Sequence, residues 1–225
     1  MFLLRHLPNF LTCCNLLCGC LGLVFIFNKP SFATAYFIWL ACVFDFFDGF
    51  AARMLNVSSP IGKQLDSLAD MVSFGIVPAA LMFRWMSQLT TNIYLPYLAF
   101  SLAVFSALRL AKFNIDENQS DSFIGVPTPA NALFITALTF VSVPIIITSS
   151  LPALVLITLL FSFLLVAPFN LFALKFKNFS WADNRLRFTF LLSAVLLLAM
   201  LQAAAIPIII LLYILVSLVS RAVAR

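Results

Sequence analysis

Residues 45–70 read DFFDGFAARMLNVSSPIGKQLDSLAD, and this stretch places four aspartates in an otherwise apolar part of the chain. Asp45 and Asp48 are three residues apart, and Asp66 and Asp70 are four residues apart, so each pair lies on one face of a helix. The two helices follow each other along the chain with a short break between them and therefore run antiparallel. The spacing predicts that the two aspartate-bearing faces meet and bring four carboxylates into one small volume.

The rest of the chain is strongly apolar. Of its 225 residues, 64% are hydrophobic and 9% are charged, and the mean hydropathy is +1.11. A soluble domain carries about 25% charged residues. The composition therefore excludes an ordinary soluble globule, a disordered chain and a disulfide-stapled secreted module, and it predicts an integral membrane protein.

Apolar runs alternate with polar or proline-containing breaks, and a membrane-spanning helix needs about 20 apolar residues. The runs predict an all-α integral membrane protein with about eight transmembrane helices, at residues 10–28, 33–53, 63–86, 93–113, 130–148, 151–172, 188–203 and 206–220. A short break ending at Pro207 separates the last two, and a single kinked helix is the alternative there. Residues 2–12 are expected to form a short segment along the membrane interface.

Basic residues are distributed unevenly between the predicted loops. With eight spans, eleven of the thirteen Lys and Arg residues fall on the side of the N-terminus, and Lys29 and Arg84 fall on the other side. Cytoplasmic loops are rich in Lys and Arg, so this bias predicts a cytoplasmic N-terminus and a protein of the cytoplasmic (inner) membrane. The net charge of +5 then reflects these loops and an anionic membrane surface, and no nucleic acid partner is expected.

The aspartates need a compensating charge, because placing a charged side chain within the bilayer raises the free energy of insertion by at least about 2.5–3.5 kcal/mol. The five cysteines lie in apolar runs without metal-site spacing, and His6 is the only histidine, which excludes the common zinc sites. Convergent carboxylates without nitrogen or sulfur ligands are typical of sites for Mg²⁺ or Mn²⁺. Four of them suit two divalent cations.

Small residues are interleaved with the aspartates. Gly49, Ala52 and Gly62 remove side-chain bulk from the two faces and leave room for a ligand, while Arg53 is one helical turn from Gly49 and is placed to pair with a phosphate. This arrangement predicts a site for a pyrophosphate-containing substrate. The alternative from another functional class is a cation-coupled transporter, in which intramembrane aspartates carry the ion.

Written as a pattern, the segment is Asp45-x2-Asp48-Gly49-x2-Ala52-Arg53-x8-Gly62-x3-Asp66-x3-Asp70. Every position of this pattern resembles the signature of the CDP-alcohol phosphotransferase family. The resemblance implies a six-helix membrane core and an enzyme that joins an alcohol to the phosphatidyl group of a CDP-linked lipid, with release of CMP.

The resemblance also implies a role for each signature residue. The four aspartates would hold two divalent cations, and Asp70 would also be the general base that takes the proton from the acceptor hydroxyl. The CDP moiety would be bound by Asp45, Gly49, Ala52, Arg53 and Gly62.

Segments outside the signature bear on the acceptor. RLAKFN at 109–114 and FIGVPTPA at 123–130 are similar to segments of the family's phosphatidylserine synthase branch, and Pro8-Asn9-x2-Thr12 is also similar. The acceptor implied is L-serine, with CDP-diacylglycerol as donor. Acceptor-binding candidates are Arg109, Lys112, Thr128 and Asn131, although membrane anchoring explains Lys112 equally well.

Other acceptors and donors stay open at this point. A sister enzyme would use glycerol 3-phosphate or an inositol phosphate, which would call for a denser set of basic residues, and an archaeal enzyme would use an ether-linked lipid. The family resemblance further implies a homodimer. We expect residues 1–172 to form the six-helix core, and residues 173–225 to form a cytoplasmic loop and two additional C-terminal transmembrane helices.

Overall fold

The computed structural model describes residues 5–28, 32–57, 59–115, 123–141, 148–171 and 180–223. Apart from two paired strands of two residues each, the regular structure in this part of the chain is helical. In chain order the elements are α1 (Leu7–Asn28), α2 (Phe32–Met54), α3 (Pro60–Asp70), a π-helical segment (Met71–Ile76), α4 (Val77–Leu89), a 3₁₀ turn (Leu95–Phe100), α5 (Ser101–Ile115), β1 (Phe123–Ile124), α6 (Thr128–Ala137) with a 3₁₀ extension (Leu138–Phe140), α7 (Leu151–Val166), β2 (Asn170–Leu171), α8 (Trp181–Leu201), a 3₁₀ turn (Gln202–Ala204) and α9 (Ala205–Val223).

Five helical segments are long and apolar enough to cross a membrane, and they are Leu7–Phe27, Phe32–Met54, Pro60–Leu89, Leu95–Ile115 and Asn184–Ser220. Two shorter apolar helices are Thr128–Phe140 and Leu151–Val166. Large apolar side chains are exposed along the outer faces, including Leu17, Phe46, Leu156 and Met200. These features are those of a helical membrane protein, while the number of eight transmembrane helices stays a prediction.

The first helix is longer than expected. α1 begins at Leu7, and a backbone hydrogen bond from Phe10 N to His6 O continues the same helical pattern. Residues 7–12 therefore belong to the first long helix, and the expected position of residues 2–12 along the membrane interface stays a prediction. Residues 1–4 lie outside the described part of the chain.

α3, the π-helical segment and α4 form one continuous 30-residue helix. In the π-helical segment, the N–H of Val77 bonds to the carbonyl of Val72, five residues earlier. Pro78 follows directly; a proline has no N–H and its ring crowds the carbonyl four residues before it, so a wider turn relieves the clash. The wide turn begins immediately after Asp70, the last residue of the aspartate pattern.

α1 packs closely against α2, α3 and the π-helical segment. A side chain at Gly19 would overlap Ser73, and Ser73 Oγ donates a 3.0 Å hydrogen bond to the carbonyl of Asn15. The absence of a side chain at Gly19 thus lets the first helix lie directly on the segment that follows Asp70.

A short strand pair holds the segment before α6 against the end of α7. Phe123 pairs with Leu171, and the amide of Gly125 donates to the carbonyl of Phe169 at 2.9 Å. Gly125 has φ +70°, and a Cβ there would lie 2.5 Å from the carbonyl oxygen of Leu165. α7 ends at Val166, because Ala167 precedes Pro168 and takes an extended conformation, so the expected sixth span of 151–172 is too long at its C-terminal end.

α8 and α9 fold back on each other. The rings of Phe190 and Tyr213 lie 5.6 Å apart, although 23 residues of straight helix would separate them by about 35 Å. The reversal occurs at Gln202, which has φ 52° and directly precedes the expected break that ends at Pro207. Pro207 lies in the first turn of α9, where a missing N–H breaks no helical bond.

Candidate active site

α2 and α3 bring their aspartates together as the spacing predicts. Asp45 and Asp48 lie on α2, Asp66 lies on α3, and one carboxylate oxygen from each falls within 4.8 Å of the other two. Asp48 is buried, whereas Asp45 and Asp66 are half-buried. Three carboxylates from two helices therefore share one small volume.

Asp70 lies beside this group at the end of α3. It is 8% exposed, and its carboxyl group lies within hydrogen-bonding reach of Asp45. Asn15 Nδ2 of α1 donates to Asp70 Oδ1 at 3.2 Å. The fourth carboxylate is thus buried, as Asp48 is, and it is held by a hydrogen bond from the first helix.

α1 contributes two polar side chains to the carboxylates. Thr12 Oγ1 donates to Asp48 Oδ2 at 2.7 Å, and Asn15 donates to Asp70. Thr12 belongs to the Pro8-Asn9-x2-Thr12 segment, but Asn15 was not predicted from the sequence. The sequence feature that could have indicated Asn15 is the recurrence of polar side chains at every third residue of an apolar helix, at Asn9, Thr12 and Asn15.

The donor set fits hard divalent cations. Carboxylate oxygens converge without sulfur or nitrogen ligands, and Asp66 Oδ1 is buried without a hydrogen-bond partner in the described structure. Neighbouring negative charges at this separation repel each other unless a cation lies between them. The three clustered residues, with Asp70 adjacent, are of the kind that Mg²⁺ or Mn²⁺ prefers.

A cavity of about 500 Å³ opens beside the carboxylates. Its lining includes Asp48 and Asp66, together with the small residues Gly49, Ala52 and Gly62. All three small residues of the aspartate pattern therefore border the same space. Further lining residues that the sequence did not single out are Arg5, His6, Val57, Ser59 and Lys63.

Arg53 lies at the end of α2 and folds back along it. Its Nη1 atom lies 3.4 Å from the position that a Cβ on Gly49 would take. Arg53 is exposed, and its guanidinium group lies beside Gly49, which borders the cavity. Arg53 therefore lies beside Gly49, and its pairing with a phosphate stays a prediction.

The first turn of α3 also borders the cavity. Ser59 caps this helix, because its Oγ accepts a 2.9 Å hydrogen bond from the amide of Gly62, and Pro60 occupies the first turn. A Cβ at Gly62 would lie 3.0 Å from Asn9 Oδ1 of α1. Gly62 thus allows α1 and α3 to approach each other at the edge of the cavity.

The acceptor-binding candidates have different surroundings. Arg109 on α5 is buried, its charge is close enough to Asp70 for electrostatic attraction, and its Nε has no hydrogen-bond partner in the described structure. Thr128 at the start of α6 is fully buried, and its hydroxyl likewise lacks a partner there. Lys112 is exposed.

Asn114, the last residue of RLAKFN, ties α5 to α3. Its carbonyl accepts a 2.6 Å hydrogen bond from Lys63 Nζ, and its Nδ2 donates to Ser67 Oγ at 2.8 Å. This contact fixes the helix of Arg109 against the helix of Asp66 and Asp70.

Comparison with known proteins decides the family. Residues 5–167 match the family model described as CDP-alcohol phosphatidyltransferase, and this range contains all four clustered aspartates. The chain belongs to the CDP-alcohol phosphatidyltransferase family. It is therefore an enzyme of this kind, and the alternative of a cation-coupled transporter is wrong.

Similar proteins come from several lineages, and each is named CDP-diacylglycerol–serine O-phosphatidyltransferase. The Bacillus subtilis (strain 168) protein is 34% identical over 145 residues, which cover 64% of this chain and 81% of the relative. The Helicobacter pylori (strain J99) protein is 36% identical over 133 residues, covering 57% of this chain and 54% of the relative. The Saccharomyces cerevisiae protein is 34% identical over 152 residues, covering 60% and 54%. The match thus spans about half the length of the last two relatives.

The family match confirms the resemblance seen in the aspartate pattern. In this CDP-alcohol phosphatidyltransferase, α8 and α9 lie beyond residue 167, the end of the matched range.

Proposed function

We propose that this enzyme transfers the phosphatidyl group of CDP-diacylglycerol to the hydroxyl of L-serine and produces phosphatidylserine and CMP. The observation that carries the proposal is the aspartate cluster at the edge of the cavity, with a buried arginine, Arg109, whose charge attracts that of Asp70. The names of the similar proteins support serine as the acceptor.

Asp45, Asp48, Asp66 and Asp70 would hold two divalent cations, Mg²⁺ or Mn²⁺. When bound, such cations neutralise the diphosphate of the donor and stabilise the charge that develops on the departing CMP. The buried, unpartnered Asp66 oxygen supports this assignment, since it needs a positively charged or donor ligand.

The cavity is assigned to the CDP group. Gly49, Ala52 and Gly62 line the cavity and admit the nucleotide close to the backbone. Asp45 would contact the nucleotide from α2, and Arg53 would pair with a phosphate. A volume of about 500 Å³ suits a nucleotide-sized ligand.

Asp70 is assigned as the general base. It takes the proton from the serine hydroxyl while that oxygen bonds to the phosphorus attached to diacylglycerol, and the bond from this phosphorus to the oxygen of CMP breaks. Serine is a poor nucleophile at neutral pH, so a base within hydrogen-bond reach is required. The bond from Asn15 holds the Asp70 carboxylate in one orientation.

Arg109 is assigned to the serine carboxylate, and Thr128 to the wall of the same subsite. One buried arginine suits a single carboxylate better than the dianionic phosphate of glycerol 3-phosphate or inositol phosphate. The exposed position of Lys112 favours its interaction with the membrane surface over acceptor binding.

The organisation of the protein in the membrane is part of the proposal. Eight transmembrane helices place the N-terminus and the carboxylates at the cytoplasmic side of the inner membrane. Residues 1–172 form the catalytic core, residues 173–225 add a cytoplasmic loop and a helical hairpin, and the working form is a homodimer.

The test is release of CMP from CDP-diacylglycerol by the purified protein in detergent with Mn²⁺ or Mg²⁺. Separate reactions contain serine, glycerol 3-phosphate, inositol phosphate or no acceptor, and one series uses an ether-linked donor. We expect serine-dependent release that is lost in Asp70→Asn and retained in Asp183→Asn, a matched change outside the aspartate pattern. Release driven by a phosphorylated acceptor would replace serine within the same family, and no release from folded protein would overturn the proposal.

A further inference from the structure

α6 carries a buried amide without a partner. Asn131 is 0% exposed, and both its Nδ2 and its Oδ1 lack hydrogen-bond partners among the described residues. Thr128, one turn earlier, is equally buried, with an unpartnered hydroxyl. Buried polar groups are almost always paired, so these side chains indicate a polar ligand or water between the helices.

α6 runs antiparallel to α2. Near the start of α2, the ring of Phe32 lies 4.9 Å from that of Phe140, which follows the end of α6. Further along α2, Trp39 Nε1 donates to Thr136 Oγ1 at 3.2 Å. Later residues of α2 therefore lie beside earlier residues of α6.

This register places Asn131 at the depth of the carboxylates. From the Trp39–Thr136 contact, Asp45 lies six residues further along α2, which is about 9 Å of helix. Asn131 lies five residues back along α6, which is about 7.5 Å in the same direction. Asp45 and Asn131 thus lie at a similar depth along this pair of helices.

Asn131 also lies on an inward-facing side of α6. Thr128, Asn131 and Ile135 are spaced as i, i+3 and i+7, and all are fully buried. α6 packs against the π-helical segment that follows Asp70. Another unpartnered group borders the same segment, because Ser106 of α5 packs against Gly75 and its hydroxyl has no partner in the described chain.

We propose that Asn131 recognises the α-amino group of the acceptor and so makes the enzyme specific for an amino acid. This inference rests on the proposed function and names a discriminating residue within its acceptor subsite. Asn131 Oδ1 and Thr128 Oγ1 accept hydrogen bonds from the ammonium group, while Arg109 donates to the carboxylate. A phosphorylated polyol offers the amide oxygen only neutral hydroxyl donors, which bond more weakly than an ammonium group, and this disfavours its binding.

The test compares two acceptors that differ only in the amino group. L-Serine and 3-hydroxypropanoate are each varied at saturating CDP-diacylglycerol and Mn²⁺, with CMP release as the readout. In the wild-type protein we expect kcat/KM to favour serine by at least about 10-fold, the order expected for a charged hydrogen bond. In Asn131→Leu we expect kcat/KM for serine to fall by about 10- to 100-fold, with 3-hydroxypropanoate changed less than about twofold.

The controls separate recognition from folding. Thr139→Val is the matched change in the 3₁₀ extension of the same helix, since among the described residues the Thr139 hydroxyl bonds to the carbonyl of Thr136. It is expected to leave both acceptors unaffected. If the Asn131→Leu variant does not fold, Asn131→Ala replaces it. We expect this variant to lose the preference for serine over 3-hydroxypropanoate and to keep the wild-type KM for CDP-diacylglycerol.

Each outcome decides between the two proposals. An equal loss for both acceptors, or an unchanged serine preference in the variants, overturns the role of Asn131 while serine synthesis stands. If the wild-type enzyme does not distinguish serine from 3-hydroxypropanoate, that result alone overturns the role of Asn131, and no variant is needed. A wild-type enzyme that uses glycerol 3-phosphate and not serine overturns the proposed function itself.

Discussion

Asn15 of α1 donates a 3.2 Å hydrogen bond to Asp70 at the end of α3. Asn15 is fully buried, and 55 residues separate the two partners along the chain. The first helix thus orients the carboxylate that we assign as the base, although it carries no residue of the aspartate pattern.

Replacing Asn15 by Leu is expected to lower kcat by about 10- to 100-fold, because Asp70 loses the donor that fixes its orientation. KM for CDP-diacylglycerol should change little, since Asn15 does not line the cavity. Steady-state CMP release with both substrates varied measures the two constants separately. Cys13→Ala, at an exposed position of the same helix, is the matched control. A raised KM with unchanged kcat would contradict the orienting role.

Substitutions at Thr12 test whether its hydrogen bond to Asp48 supports cation binding. In Thr12→Val the 2.7 Å bond to Asp48 is lost at nearly constant side-chain volume, and the Mn²⁺ concentration for half-maximal CMP release is expected to rise by about 10- to 100-fold. Thr12→Ser keeps the hydroxyl and should behave like the wild type. Equal Mn²⁺ requirements in the valine and serine variants would show that the bond does not hold Asp48 for the cation.

Asp66→Asn separates charge repulsion from cation binding. Without divalent ions, the variant is expected to melt at a higher temperature than the wild type, because one of the clustered negative charges is gone. Adding Mn²⁺ should raise the melting temperature of the wild type and leave that of the variant nearly unchanged. Thermal unfolding in detergent, with and without EDTA, measures both effects. A variant that Mn²⁺ stabilises as strongly as the wild type would remove Asp66 from the cation site.

Gly125→Ala tests the strand pair that precedes α6. The alanine Cβ would meet the carbonyl oxygen of Leu165, and the positive φ adds strain, so we expect destabilisation by about 1–3 kcal/mol. Gly22→Ala is the matched control, because its Cβ would lie 3.4 Å from the flexible end of Ile38. Melting temperatures of the two variants give the comparison. Equal melting temperatures would show that the segment before α6 tolerates a side chain at this turn.

The arrangement of the aspartates was predictable because it depends on local periodicity. Residues three and four apart on a helix share a face whatever surrounds the helix, so Asp45, Asp48 and Asp66 met as expected. The bordering positions of Gly49 and Gly62 followed from the same periodicity.

The remaining features depend on contacts between distant elements. The packing of Asn15 onto Asp70 requires α1 to lie across α3, which no spacing within α1 reveals. The break between the last two helices was expected in the stretch ending at Pro207 and begins slightly earlier, at Gln202, while Pro207 lies in the first turn of α9, where proline is tolerated. The burial of Arg109 and exposure of Lys112 likewise depend on how α5 packs.

The wide turn at Met71–Ile76 sets the rotational phase between the two ends of one long helix. Each residue of an α-helix turns the chain by about 100°, so an additional residue in this turn rotates everything that follows it. The charged end with Asp66 and Asp70 and the apolar end with Leu81 and Met86 can therefore each face the direction that its own neighbours require. Deleting a single residue here would turn the carboxylates away from their partners even if both ends remained helical.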